Sequence, residues 1–163
     1  MQAEMPGGHI TLSQCLALTY HDQICKLQVP TIVFLPHCPK QLTNNLLYAN
    51  WSPEGLIKWA DFASNWLMQL FFRLSLISNS FSSTVERGVK SDIERNAQLV
   101  ASLVEAEMVE EVTMSNTFRF EDVFNDMALH QFTGVARAQE FFWDVKPPEY
   151  SEDAEFIRSS AAR

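Results

Sequence analysis

Pro30-Thr31-Ile32-Val33-Phe34-Leu35-Pro36 is the stretch on which the fold turns. Five β-branched, aromatic and aliphatic residues stand between two prolines, each of which stops regular pairing, so the run reads as one short strand. Its apolar character is continuous rather than alternating, which predicts burial on both faces and a parallel sheet covered by helices. Outward from it, Pro36-His37-Cys38-Pro39-Lys40 makes a loop. Gln41 to Ala49 then sets Leu42, Leu46 and Ala49 at helical spacing before Asn50-Trp51-Ser52-Pro53 breaks the pattern. Strand, loop and helix form the half-unit of an α/β fold.

From Glu54 to Arg73, the spacing of Leu56, Trp59, Ala63, Trp66, Leu70 and Leu74 predicts a second helix, with Phe62, Leu67, Phe71 and Phe72 adding apolar surface outside the stripe. Leu74 to Ser78 reads as a second strand ending at Asn79-Ser80-Phe81. Ser91-Asp92-Ile93-Glu94 has the form of a capping box, and Ile93, Ala97, Val100, Ala101 and Val104 make the stripe of one helix to about Ala106, starting as early as Thr84. Met108, Val109, Val112 and Met114 suggest a third strand, and Phe120 to Phe132 contains room for a fourth. Residues 1 to 28 offer a Pro6-Gly7-Gly8 turn and a short helix carrying Leu12, Cys15, Leu16 and Thr19. After Pro147-Pro148, residues 150 to 163 read as a loose acidic tail. The expected fold is α/β, a partial doubly wound, Rossmann-like and mostly parallel sheet flanked by helices.

At 163 residues and 47% hydrophobic content the chain is the size of one globular domain with a buried core. Twenty acidic against twelve basic side chains give a net charge of -8, and the Lys and Arg residues are scattered, so direct nucleic-acid binding is not expected. The acidic stretches Glu105 to Glu111 and Glu149 to Glu155 read as solvated faces. Three cysteines, Cys15, Cys25 and Cys38, without CxxC spacing fit a reducing compartment rather than a disulfide framework. No secretory pattern opens the sequence. The longest uncharged apolar stretch, Phe62 to Phe72, is shorter than the ~20 residues a membrane span requires. A soluble intracellular protein, not engaged with membrane, is expected.

Three ordered motifs carry a resemblance. Pro36-His37-Cys38-Pro39 followed by Asn44-Asn45-Leu46-Leu47 and Asn50-Trp51-Ser52 resembles the central motif of the sensitivity-to-red-light-reduced family. Ile77-Ser78-Asn79-Ser80-Phe81 is similar to its second motif, and Val123-Phe124-Asn125-Asp126 with His130 and Phe132 to its third. The resemblance spans roughly residues 29 to 158 and corresponds to the C-terminal part of that family's domain. Residues 29 to 149 would be the incomplete domain, and residues 1 to 28 a divergent segment without the family's Gly-rich opening strand and turn. About fifteen apolar residues near 58 to 73 would be an insertion between its first two motifs. The resemblance implies a regulatory protein of cytoplasm and nucleus, associated with circadian-clock output and with control of haem biosynthesis, that acts through protein partners or a small ligand.

The residues allow two readings of the candidate site. His37 and Cys38 follow a strand end, where open α/β sheets bind ligands, and Cys38-Pro39 is able to present a thiolate to haem iron. The plainer reading makes them packing and capping groups, and base rates favour it. Asn44, Asn45 and Asn50 have amides suited either to a ligand's polar edge or to capping, and Asn79 and Ser80 hold the same kind of strand-end position. Trp51 reads as a packing aromatic. His37, Asn45, Asn50 and Asn79 are expected to gather at one end of the sheet. Asp126 and His130, four apart, have the residue types of an orienting carboxylate and a base. His21 and Cys25 are two ligands where structural zinc needs four, so no metal site is expected. No G-x-S-x-G, G-x-G-x-x-G or Walker loop is present, and the expectation is a non-enzyme without a resident cofactor, the alternative being a haem-responsive sensor or enzyme built on His37 and Cys38.

Overall fold

A computed structural model describes residues 26–27, 31–56, 74–115 and 125–150. The expected helix near residues 12 to 19, the expected second helix beyond Leu56 with the whole apolar insertion near 58 to 73, the Val123-Phe124 pair, the His21 and Cys25 pair and the acidic tail beyond Tyr150 lie outside these residues.

The elements run β1 (Thr31–Leu35), α1 (Lys40–Ala49), α2 (Pro53–Leu56), β2 (Leu74–Asn79), α3 (Phe81–Arg87), α4 (Lys90–Asn96), α5 (Gln98–Glu105), β3 (Val109–Thr113) and β4 (Met127–Phe132). A short 3-10 turn (Val135–Arg137) and α6 (Glu140–Trp143) follow. The four strands make one sheet in the order β1-β2-β4-β3. β1 and β2 are parallel, with Val33 opposite Leu76 and Leu35 opposite Ser78. β4 runs antiparallel to both β2 and β3. The fold is mixed α/β, and the expectation of a mostly parallel sheet is corrected: only the β1–β2 pair, joined through α1, has the parallel crossover arrangement.

The sheet has two unlike faces. Val33, Leu35, Leu74, Leu76 and Phe132 enter one apolar cluster with Leu46 and Leu47 of α1, Phe81 of α3, Ile93 of α4 and Leu99, Val100 and Leu103 of α5. On the other face Ile32 is 62% and Phe34 45% exposed. β1 is therefore not buried on both sides as its continuous apolar run suggested; the helices that cover Val33 and Leu35 lie on one face, and the period of two sends Ile32 and Phe34 the other way.

The expected single helix to about Ala106 is two helices, α4 and α5, when counted from Ser91, and three with α3 when counted from the earlier start at Thr84. α3 ends at Gly88, whose added Cβ would meet Ile93 Cδ1 at 2.4 Å and the Thr84 carbonyl oxygen at 2.7 Å, so α3 and α4 turn against each other where only a missing side chain fits. Val89 is the N-cap of α4 and forms no side-chain cap bond, which places Ser91 inside the helix instead of at a capping box. A second break falls at Ala97, with φ -146° and ψ 32°, and it is fully buried. Trp51 packs as expected: it is stacked on Phe142, with ring centroids 5.2 Å apart, and its Nε1 donates to the Phe142 carbonyl at 3.0 Å.

Candidate functional site

Because β1 and β2 are parallel neighbours, their chain exits leave the sheet side by side, and the loops there meet. His37, in a left-handed conformation with φ 50°, donates its backbone N–H to Asn79 Oδ1 at 2.9 Å. Ser80 donates its backbone N–H to the carbonyl of Asp126 at 2.7 Å. Asp126 is also left-handed, with φ 62°, at the turn entering β4. Two hydrogen bonds thus tie the loops after β1 and β2 and the turn before β4 into one corner.

That corner borders a cleft of about 610 Å³. Cys38, Pro39, Lys40 and Gln41 form one wall, Ser83, Thr84 and Arg87 of α3 another, and Asn79, Asp92, Asn96, Val100 and Asp126 are among the other lining residues. Its charges are paired across the opening. Lys40 Nζ meets Asp92, and Arg87 reaches Asp126 at 3.5 Å. The bond from Lys40, joined by one from Asn96, holds the Asp92 carboxyl below the ordinary carboxylate range. Cys38 is half-buried and is not in a disulfide.

Beneath the cleft's α3 wall lies a carboxylate that the sequence reading assigned to a solvated face. Glu111 of β3 has a side chain only 15% exposed. Its Oε1 accepts from the backbone N–H groups of Phe81, at 2.6 Å, and Ser82, at 3.0 Å, and its Oε2 accepts from the Ser80 hydroxyl at 2.9 Å. Ser80 Oγ in turn accepts from Ser83 N–H at 3.1 Å, so Ser80 and Glu111 together satisfy the open donors of α3. Glu111 also stands opposite His130 in the β3–β4 register. The His130 ring is fully buried, stacks on Phe81 at 3.9 Å and turns Nδ1 to the Leu76 carbonyl at 3.1 Å. A carbonyl only accepts, so Nδ1 carries a proton. Nε2 lies 3.3 Å from Glu111 Oε1, within ion-pair range but without a well-formed hydrogen bond. Burial pushes the Glu111 carboxyl up, but His130, the Ser82 N–H and the Ser80 hydroxyl outweigh it and hold the pKa down at about 2.

The sequence-predicted residues therefore separate into groups. His37, Cys38, Asn79 and Asp126 converge on the cleft corner, and Ser80 sits beneath it. Asn44 and Asn45 face another way. Asn44 Oδ1 accepts from Leu99 N–H at 2.8 Å, in the first turn of α5, and its Nδ2 donates to the Tyr150 hydroxyl at 3.1 Å. Asn45 Oδ1 accepts from that hydroxyl at 2.8 Å. Asn50 does not join the gathering expected of it. α1 carries the chain about 15 Å back from the strand ends, and Asn50 Oδ1 accepts from Leu27 N–H at 2.8 Å, just ahead of β1, while its Nδ2 donates to the Leu46 carbonyl at 2.9 Å. Asp126 does not orient His130: β4 is a strand, so four residues separate the two by about 13 Å, and the carboxylate beside His130 is Glu111. Among the described residues no group of three or more His, Cys, Asp or Glu is arranged to hold a metal ion, and no helix is long and apolar enough to cross a membrane.

This is a mixed α/β protein in which short polar motifs after two parallel strands and before an antiparallel one meet at one corner beside a cleft. Residues 12–131 match the family model of the SRR1 domain, and the chain belongs to that family. It is 31% identical over 129 residues to an SRR1-like protein of Drosophila melanogaster, covering 77% of this chain and 39% of that protein. Against an SRR1-like protein of Mus musculus it is 31% identical over 74 residues, 45% of this chain and 24% of the relative. The chain thus spans about two fifths or less of the curated relatives it matches. No solved structure matches it. The family match takes in residues 12–28 as well, so the resemblance is not confined to a C-terminal part of the domain as expected.

Proposed function

We propose that this chain is a regulatory, non-enzymatic protein that binds a small ligand or a protein segment in the strand-end cleft, with the family's roles in circadian-clock regulation and control of haem biosynthesis exercised from cytoplasm and nucleus. The observation that carries the reading is the convergence of residues from all three family motifs, His37 and Cys38, Asn79 and Ser80, and Asp126, on one corner through the His37–Asn79 and Ser80–Asp126 bonds. Strand ends of parallel pairs are where α/β sheets bind ligands. The groups present include hydrogen-bonding amides, hydroxyls and paired charges, the chemistry with which a cleft holds a polar ligand.

Haem is the second ligand reading, because the Cys38 sulfur belongs to the cleft wall. A titration followed by Soret absorption, on the chain and on Cys38→Ala, distinguishes the two. The expected result is no Cys38-dependent band. A shifted Soret band lost in Cys38→Ala would establish the haem-sensor alternative. For any partner or metabolite captured by the chain, Arg87→Ala at the cleft mouth should weaken binding, whereas Val89→Ala, 70% exposed and outside the lining, should leave it unchanged. Equal effects of the two substitutions would move the site away from the cleft.

A further inference from the structure

Tyr150 has a hydroxyl held more closely than a surface phenol requires. It donates to Asn45 Oδ1 at 2.8 Å, lies 3.3 Å from the Gln41 carbonyl and accepts from Asn44 Nδ2 at 3.1 Å. Burial raises the phenol's pKa, with the bond from Asn44 acting the other way, so the group is a neutral donor at physiological pH. The segment that carries it, Asp144 to Tyr150, has no regular secondary structure and contains Pro147-Pro148; Val145 packs against the core at its start, and the Tyr150 hydroxyl ties its far end to α1. Glu149 before it is exposed, and the sequence continues Ser151-Glu152-Asp153-Ala154-Glu155.

We propose that Tyr150 is a phosphorylation site for a protein tyrosine kinase that accepts acidic flanking sequence, and that phosphorylation unlatches residues 144–150 from α1. In the transfer the phenol oxygen bonds the γ-phosphorus of ATP, the bond from that phosphorus to the bridging oxygen breaks, ADP leaves and the phenolic proton is released. The product carries a charge of roughly -1.5 to -2, and its phenolic oxygen has no proton left to donate. Asn45 Oδ1 and the Gln41 carbonyl, both acceptors, then face an anion, and only Asn44 Nδ2 still matches. Because the hydroxyl is engaged when latched, the kinase captures the unlatched population and holds it there. The effect reaches the cleft by a short path: Gln41 lines it, and Asn44 also caps α5, whose Val100 lines it as well. The site is independent of what the cleft binds.

The test treats the full chain with Mg-ATP and the catalytic domain of such a kinase, maps phosphate by mass spectrometry and follows backbone hydrogen exchange. Phosphate is expected on Tyr150 ahead of Tyr48, which sits half-buried on α1 and serves as an internal comparator. Amides of residues 144–150 should exchange roughly tenfold faster in the phosphorylated chain, the loss of one to two hydrogen bonds. Tyr150→Phe, unphosphorylated, should show the same acceleration. The proposal is overturned if the kinase modifies a synthetic peptide of residues 144–156 but leaves Tyr150 untouched in the folded chain. Unchanged protection after phosphorylation, or in Tyr150→Phe, overturns it equally.

Discussion

At the scale of single residues, Glu111 shows how a strand's alternation outranks composition. It closes a run rich in glutamate, and such runs are usually solvated, yet β3 turns Glu111 to the face that meets His130 while Glu110 beside it is exposed. Its neighbours were individually visible, Ser80 as a strand-end hydroxyl and His130 as a motif histidine, but nothing in the spacing of either pointed to a carboxylate far along the chain, 31 residues from Ser80. The convergence of His37 and Asn79 was legible, because both follow strand ends and the strands are parallel neighbours. Glu111→Gln should cost about 1–3 kcal/mol at neutral pH, measured by urea unfolding, since it weakens the capping of α3 and leaves His130 facing a neutral amide. A pH dependence accompanies it. The carboxyl titrates near 4.5 when unfolded and about 2 when folded, so its contribution is complete above the unfolded value and fades as pH falls toward 2; the full linkage is on the order of 3 kcal/mol. In the Gln variant the acid loss between those values should be smaller, and an unchanged acid limb would remove Glu111 as its source.

Among the elements, the region from Phe81 to Glu105 shows where local signals stop being sufficient. Its apolar stripe correctly marks Ile93, Ala97 and Val100 as core, and a stripe continues across a break whenever both helices turn the same side inward. What it does not report is that the first-turn amide of Leu99 is satisfied by Asn44, 55 residues earlier, so that the chain need not stay helical through Ala97. Ser91-x-x-Glu94 matches the form of a capping box, but Ser91 is exposed within the first turn of α4, and its position yields no cap bond. The two accounts differ in what substitution does. Ser91→Ala should change stability by less than about 0.5 kcal/mol, as an exposed helical position. Asn44→Ala should cost about 1–3 kcal/mol, because it removes a buried bond from Leu99 and a part-buried one from Tyr150. Chemical unfolding of both variants decides between them. Gly55 belongs to the same scale: an added Cβ there would meet the Asn50 carbonyl oxygen at 2.1 Å, a backbone atom that cannot swing aside. Gly55→Ala should therefore lose about 1–3 kcal/mol by overpacking at the junction of α1 and α2.

For the whole molecule, the consequence of a sheet with two unlike faces is a tendency to associate. One face closes over a continuous core, while Ile32 and Phe34 of β1 and Val112 of β3 are 62%, 45% and 51% exposed on the other. The register sets Phe34 beside Ile77, Ile77 beside Leu129 and Leu129 beside Val112, an apolar row that crosses all four strands. β1 is also an edge strand among the described residues, and an apolar edge is the kind of surface on which chains pair with one another. Covering such side chains is worth about 1.5–3 kcal/mol each, a large part of the ~5–15 kcal/mol that holds a domain together, so self-association competes directly with remaining a folded monomer. The expectation is that this chain, expressed alone, scatters light increasingly with concentration and unfolds with poor cooperativity. Ile32→Lys with Phe34→Lys should suppress the scattering, because charges on an edge strand oppose strand addition. The same pair should shift the urea midpoint little, since neither side chain belongs to the buried cluster. Deleting residues 59 to 73 should leave the scattering in place, because it does not alter the Phe34–Ile77–Leu129–Val112 row. A cooperative thermal transition of a soluble monomer, with scattering independent of concentration, would show instead that this face is covered within the chain.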